Sequence, residues 1–197
     1  MPFLKVDKGL VEQDHGVQLM KEMPHLDTLL NTAILNNVFG TKMRAVIHEA
    51  NPYGIKCLVE QQFSIAQEIM QLGLVPIIEP EISITSGEKQ AAESILFDQI
   101  IESLEKLKKG SQVILKLTLP EEAQLYSPLV SHPSVLRVLA LSGGYSLNEA
   151  CEKLSSNRGV IASFSRALCN SLNLSQSDEA FSDSLGSTIN TIYDSCN

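Results

Sequence analysis

Positive charge is scarce in this 197-residue chain: 15 Lys and Arg stand against 23 Asp and Glu, a formal net charge of -8. Binding along a nucleic-acid backbone needs clustered cations that displace counterions, which excludes nucleic acid as a partner class. A phosphorylated metabolite is not excluded, because it needs only a few cations gathered in one pocket. Cysteine is thin as well. Cys57, Cys151, Cys169 and Cys196 form no CxxC pair and have no histidine at zinc-ligand spacing. They are expected to be reduced, buried thiols of an intracellular protein. His15, His25, His48 and His132 show no ligand spacing either, so no metal and no cofactor are expected. No apolar run approaches the ~20 residues that span a bilayer, and no basic stretch leads into an apolar one after Met1. The expectation is a cytoplasmic protein without a signal peptide and without a membrane partner.

What is there fits one domain with a sizeable core: 44% hydrophobic and 19% charged residues. Six short runs rich in Val, Ile and Leu predict strands at 3–6, 44–47, 74–78, 113–117, 136–141 and 160–164. They are continuous rather than alternating, the pattern of parallel strands covered on both faces. Amphipathic helices are predicted at 55–72, 87–109, 147–154 and 179–193. The first carries Ile55, Leu58, Val59, Ala66, Ile69 and Met70 at helical spacing, with Gly73 as its stop. The second carries Ala92, Leu96, Ile100, Leu104 and Leu107 and closes on a basic turn that suits the helix dipole. Repeated strand and helix mean an α/β fold, either an open doubly wound sheet or a (β/α)8 TIM barrel. A doubly wound nucleotide-binding sheet would usually show GxGxxG or a P-loop, and neither occurs. The barrel fits better, although it needs eight strands and six are present.

Barrel active sites form at the C-terminal ends of the strands, and polar residues gather there. Lys5 and Asp7 lie on the first run, Lys42 just ahead of the second with Arg44 inside it, and Glu79 and Glu81 end the third. Lys116 interrupts the apolar fourth run, Ser142, Gly143 and Gly144 follow the fifth, and Ser163, Ser165 and Arg166 close the sixth. Lys116 is the sharpest signal. Burial among Val113, Ile114, Leu115 and Leu117 disfavours a charged ammonium, and a second cation such as Lys42 would further favour the neutral, nucleophilic amine. A rim lysine paired with an acid is the alternative. Glu79 and Glu81 fall on one side of an extended strand, and two such carboxylates can divide the work of base and ion-pair partner. The alternative is a solvated acidic loop. The Ser142 and Ser163 segments, with Arg166, offer N–H groups, hydroxyls and a guanidinium to a phosphate. The alternative, which these segments taken alone favour, is an ordinary helix cap, with Ser146 a second cap candidate.

These stretches together resemble class I fructose-bisphosphate aldolases, particularly the compact bacterial type. The resemblance runs through PFLKVDKGL at 2–10, GTKMR at 40–44, GLVPIIEPE at 73–81, LKLT at 115–118, LSGGY at 141–145 and ASFSRAL at 162–168. It implies a Schiff-base enzyme that cleaves fructose 1,6-bisphosphate. In that reading Lys116 forms the iminium, Glu79 is the general acid/base, Glu81 orients the lysines, and Lys42 tunes Lys116 against the substrate hydroxyls. Lys5 and Arg44 face the substrate and its distal phosphate, while Ser142, Gly143, Ser163 and Arg166 hold the phosphate of the dihydroxyacetone half. The family carries a further segment ahead of Pro2 that supplies two strands and a catalytic aspartate. Residues 1–197 are therefore expected to form a single aldolase-type barrel domain holding strands three to eight only, N-terminally incomplete. Its open edges at 3–6 and 160–164 would pair with other copies in a homo-oligomer.

Two other readings remain open at this point. One is an inactive, truncated aldolase-like interaction protein. The other is a different Schiff-base barrel lyase or a transaldolase. The Ser-Gly-Gly and Ser-x-Ser-Arg pair favours a bisphosphate substrate over the latter.

Overall fold

A computed structural model of the chain describes residues 1–196. Among these residues the strands form one seven-stranded sheet, and six of the strands run parallel in the order β1 (Phe3–Lys5), β3 (Gly40–Ile47), β4 (Val75–Ile82), β5 (Val113–Thr118), β6 (Val135–Leu141) and β7 (Val160–Ala162). Every strand read from the sequence is present. The second is longer at its start than predicted, which places Lys42 inside β3 rather than ahead of it. The sixth is shorter, ending at Ala162.

Helices connect consecutive parallel strands: α1 (Leu26–Leu35), α2 (Pro52–Gln71), α3 (Lys89–Glu105), the short α4 (Ser127–Val130) and α5 (Leu147–Ser155). The C-terminal region adds α6 (Arg166–Cys169) and α7 (Asp178–Asp194). Strand, helix and parallel strand in steady alternation make this an α/β fold of the barrel type.

Helix α2 shows how sequence dictates these elements. Asn51 accepts a hydrogen bond from the Gly54 N–H at 3.0 Å, and Pro52 occupies the first turn, where its missing N–H costs nothing. Ile55, Leu58, Val59, Phe63, Ala66 and Ile69 then turn one face into the core. Each of these side chains larger than alanine, fully buried, contributes roughly 1.5–3 kcal/mol. Gly73 adopts φ +79 and gives its N–H to Met70 O at 3.0 Å, ending the helix. Gly54 permits a close approach: a Cβ there would lie 2.1 Å from His15 O.

That His15 belongs to an excursion the sequence reading missed. Residues 10–20 fold back so that β2 (Val17–Gln18) pairs antiparallel with the end of β3. Gln61 of α2 secures it with paired 2.9 Å bonds to the N–H and C=O of Met20.

Helix α3 stops at Glu105, short of the predicted basic turn, and Lys106 beyond it pairs with Glu102 at 2.7 Å. Cysteine burial also departs from expectation. All four thiols are free, but only Cys151 is buried, and Cys169 is exposed. No described helix is long and apolar enough to cross a membrane.

Candidate functional site

The C-terminal ends of the parallel strands surround a cavity of about 380 Å³. All ten candidate residues line it: Lys5, Lys42, Arg44, Glu79, Glu81, Lys116, Ser142, Gly143, Ser163 and Arg166. With Asp7, the lining holds five basic and three acidic side chains. In a chain of net charge -8, this gathers a local positive excess suited to an anion.

The acids set the geometry. Glu79 is buried on β4 at 4% exposure, and its two oxygens face different lysines. Lys116 Nζ lies 2.9 Å from Oε1, and Lys42 Nζ lies 3.1 Å from Oε2. Lys116 thus stands in an apolar strand, is partly rather than fully buried, and is paired with an acid. The main chain of Glu79 is held from behind, where the buried Gln62 of α2 donates from Nε2 to its carbonyl at 3.1 Å. Thr118 holds the end of the same strand, its hydroxyl accepting from the N–H and donating to the C=O of Ile82, both at 2.9 Å.

Glu81, two residues further along β4, is likewise buried, which removes the solvated-loop alternative for the pair. It does not touch the lysines, contrary to the role the resemblance implied. Its Oε2 accepts from Arg44 Nη1 at 2.8 Å, and its Oε1 lies 3.9 Å from Arg166 Nη2. Lys42 and Lys116 thus face Glu79, and Arg44 and Arg166 face Glu81. Parallel register explains the division: β3 and β4 pair Arg44 with Glu79 and Val46 with Glu81, so each cation of β3 reaches the acid two residues further along its neighbour.

Asp7 is the residue that the sequence reading noted without assigning a place in the site. It is 6% exposed and accepts from Lys5 Nζ at 2.7 Å through Oδ1, while Oδ2 lies 3.8 Å from Lys42 Nζ. The signal for it was the alternation Lys5-x-Asp7, which puts both side chains on the same side at the end of a strand. Lys42 therefore sits between two buried carboxylates, Asp7 and Glu79.

The opposite wall is built for hydrogen bonding. Ser142 is buried directly after β6, and Gly143 follows with φ +62. Helix capping falls to Ser146 instead. It accepts from the Glu149 N–H at 3.3 Å while Glu149 accepts from the Ser146 N–H at 3.0 Å, a complete capping box. Ser142 and Gly143 are left to face the cavity. Ser163, Ser165 and Arg166 close it beyond β7, and the Arg166 side chain is 65% exposed.

Polar groups converging at strand ends can bind a phosphorylated carbonyl compound. The lysine held on a buried carboxylate adds the means for nucleophilic attack with proton transfer. No family model matches the chain. It is 52% identical over 194 residues to a fructose-bisphosphate aldolase class 1 of Clostridium acetobutylicum, covering 98% of this chain and 66% of that protein. It is 54% identical over 193 residues to a protein of the same name from Synechocystis, covering 98% and 64%. Among solved structures, the fold matches a fructose-bisphosphate aldolase of Plasmodium falciparum with a TM-score of 0.68 at 21% identity, covering 99% of this chain and 66% of that one. The chain spans about two thirds of the length of these relatives. With half its residues shared across nearly all of its length, the chain belongs to the class 1 fructose-bisphosphate aldolase family.

Proposed function

We propose that the chain carries the Schiff-base site of an aldolase that cleaves fructose 1,6-bisphosphate to dihydroxyacetone phosphate and glyceraldehyde 3-phosphate. The observation that carries this reading is the pairing of Lys116 with Glu79 at 2.9 Å inside a cavity with excess positive charge. A carboxylate at that distance can accept a proton from the ammonium, leaving a neutral amine to attack the ketone carbon. Glu79 then protonates the departing hydroxyl, water leaves and the iminium forms. The iminium accepts the electron pair released when the carbon–carbon bond breaks, and removal of the adjacent hydroxyl proton expels the aldehyde. Protonation of the resulting enamine and hydrolysis free the ketone and regenerate Lys116.

Lys42, set between Asp7 and Glu79, fits a role against the substrate hydroxyls. Ser142, Gly143, Ser163 and Arg166 fit the phosphate of the dihydroxyacetone half, and Lys5 and Arg44 the distal one. In this reading Glu81 aligns the two arginines rather than the lysines. The substrate would be a soluble sugar phosphate of the cytoplasm, in glycolysis and gluconeogenesis. Homo-oligomerisation belongs to this reading as one use of the edges of β1 and β7, which among the described residues each pair on one side only and could take further strands or a second copy.

Borohydride reduction in the presence of dihydroxyacetone phosphate tests the reading directly. It should add the reduced ketone to the peptide that holds Lys116, and Lys116→Met should abolish the label. Labelling at Lys42 would overturn the assignment.

A further inference from the structure

Beside the cavity, and outside it, lies a second polar cluster. Lys89, in the first turn of α3, and Glu93, one turn on, are 5% and 1% exposed. Lys89 Nζ donates to Glu93 and to Leu119 O at 2.8 Å, and lies 2.9 Å from Glu121 Oε1. Glu93 accepts the Glu121 N–H at 3.0 Å. Glu121 in turn accepts the Tyr145 hydroxyl at 3.0 Å and pairs with Lys153 at 2.9 Å, whose Nζ sits 5.3 Å from the centre of the Tyr145 ring. Buried charges are costly unless fully paired. Here they are paired in a way that joins the loops leaving β4, β5 and β6.

The far end of this network is attached to the wall of the cavity. Tyr145 directly follows the turn at 142–144, and its N–H closes that turn on Ser142 O at 2.8 Å. Gly143 and Gly144 have φ +62 and +122, and their N–H groups meet no acceptor among the described residues. Ile84, from the loop after β4, fills the space behind, where a Cβ on Gly143 would come within 2.7 Å of Ile84 Cγ2. Consecutive glycines have wide conformational freedom. A fixed arrangement of their N–H groups requires restraint from outside the turn.

We propose that Lys89, Glu93, Glu121 and Tyr145 form a brace that holds the 142–144 turn in its anion-binding shape. Glu121 and Tyr145 are then positioning residues for phosphate recognition that do not touch the ligand. The inference rests on the reading above, in which Ser142 and Gly143 receive the phosphate of the dihydroxyacetone half. Charge distribution in the brace agrees with it. Burial pushes the Glu93 carboxyl up, whereas the hydrogen bond from Lys89 draws Glu121 down to about 2. Negative charge is therefore retained on the member that grips Tyr145.

Tyr145→Phe removes only the hydroxyl, and Glu121→Gln removes the charge while keeping the shape. Each would be tested by borohydride trapping over a range of dihydroxyacetone phosphate and, separately, of unphosphorylated dihydroxyacetone. The half-saturating concentration of the phosphorylated ketone should rise about 3–10-fold in both variants, the scale of one lost hydrogen bond. The trapping rate at saturation, and both values for dihydroxyacetone, should stay unchanged. Equal losses with both ketones would reduce the network to general structural support, and an unaltered half-saturation for the phosphorylated ketone would remove the brace. If the wild-type chain traps neither ketone, the aldolase reading itself fails and the brace falls with it. Trapping by the wild type with no effect in either variant sinks the brace alone.

Discussion

Lys42 Nζ lies 3.1 Å from Glu79 Oε2, on the oxygen opposite the one that faces Lys116. One buried carboxylate thus divides its two oxygens between two lysines on different strands. The lysines are not equivalent, because Lys42 has a second acid, Asp7, at 3.8 Å. Lys116 has Glu79 as its single ion-pair partner among the described residues. This geometry fits the proposed division of labour, with Lys116 as the nucleophile and Lys42 held against the substrate hydroxyls.

Glu79→Gln keeps the size of the side chain but removes its capacity to accept a proton. The variant should trap dihydroxyacetone phosphate slower by about 10²–10⁴-fold, the usual worth of a positioned acid/base. Glu81→Gln should leave the trapping rate at saturation close to wild type and raise the half-saturating concentration. Rapid-quench trapping with mass detection measures both. A Glu79→Gln chain that traps at the wild-type rate would remove Glu79 from the proton transfers.

Arg166→Ala should weaken binding of dihydroxyacetone phosphate by about 1.5–3 kcal/mol, the range for hydrogen bonds to a charged group. The lower half is expected, since the guanidinium is 65% exposed in the open cavity and lies 3.9 Å from Glu81. Affinity for unphosphorylated dihydroxyacetone should not change. Titration calorimetry distinguishes the cases, and an unchanged phosphate affinity would make Arg166 a surface cation.

Acid stability should carry the signature of Glu121. The Lys89 hydrogen bond, aided by Lys153 and Tyr145 against an opposing desolvation, lowers this carboxyl from 4.5 to about 2. A depressed value in the folded state means the folded chain binds that proton less tightly than the unfolded one. The stabilising contribution is therefore complete above pH 4.5 and is lost as pH falls towards 2. Urea unfolding of wild type and Glu121→Gln should show a constant gap above pH 5 that narrows below 4.5. Parallel curves through that window would contradict the pairing.

Self-association should follow from the sheet. Among the described residues β1 and β7 each pair on one side only, and Phe3 and Ile161 on those strands are exposed. Beside β7 an apolar groove runs to α7 and includes Ile189, Ile192 and Tyr193. Unpaired strand edges with apolar side chains template pairing between chains. Sedimentation velocity of the 197-residue chain should show association that rises with concentration. A monodisperse monomer at high concentration would show that both edges are protected.

The parallel strands were legible because burial on both faces leaves continuous apolar runs, against which Lys116 or Glu79 stands out. Other parts gave no such contrast. Val17 and Gln18 are too few to show a period, and their pairing depends on left-handed backbone at His15 and Gly16. Helix α1 has core residues Leu26, Leu30 and Ala33 at proper spacing, but the exposed Ile34 and Leu35 blur the stripe. Its N-cap, His25, also has left-handed backbone and makes no side-chain cap bond. Lys89 and Glu93 carry no sequence signal of burial, because only the folded loop after β5 supplies the partners that let them be buried. Strand alternation put Glu79 and Glu81 on one side, but the allotment of Lys42 to one and Arg44 to the other needed the register between β3 and β4.

That register has a consequence for how the chain folds. Asp7, Lys42, Glu79 and Lys116 each sit one strand–helix unit further along the chain than the last, and every contact among them crosses between neighbouring strands. None of these four finds a partner among the others within its own strand–helix unit. Slipping any one strand by a single residue would turn its charged side chain to the opposite face and strand its partners without a counter-charge. The cost of those orphaned charges penalises intermediates with a misaligned or missing strand. The residues that would perform the chemistry thereby disfavour misaligned strands, and they tie the assembly of the sheet to contacts of long sequence separation.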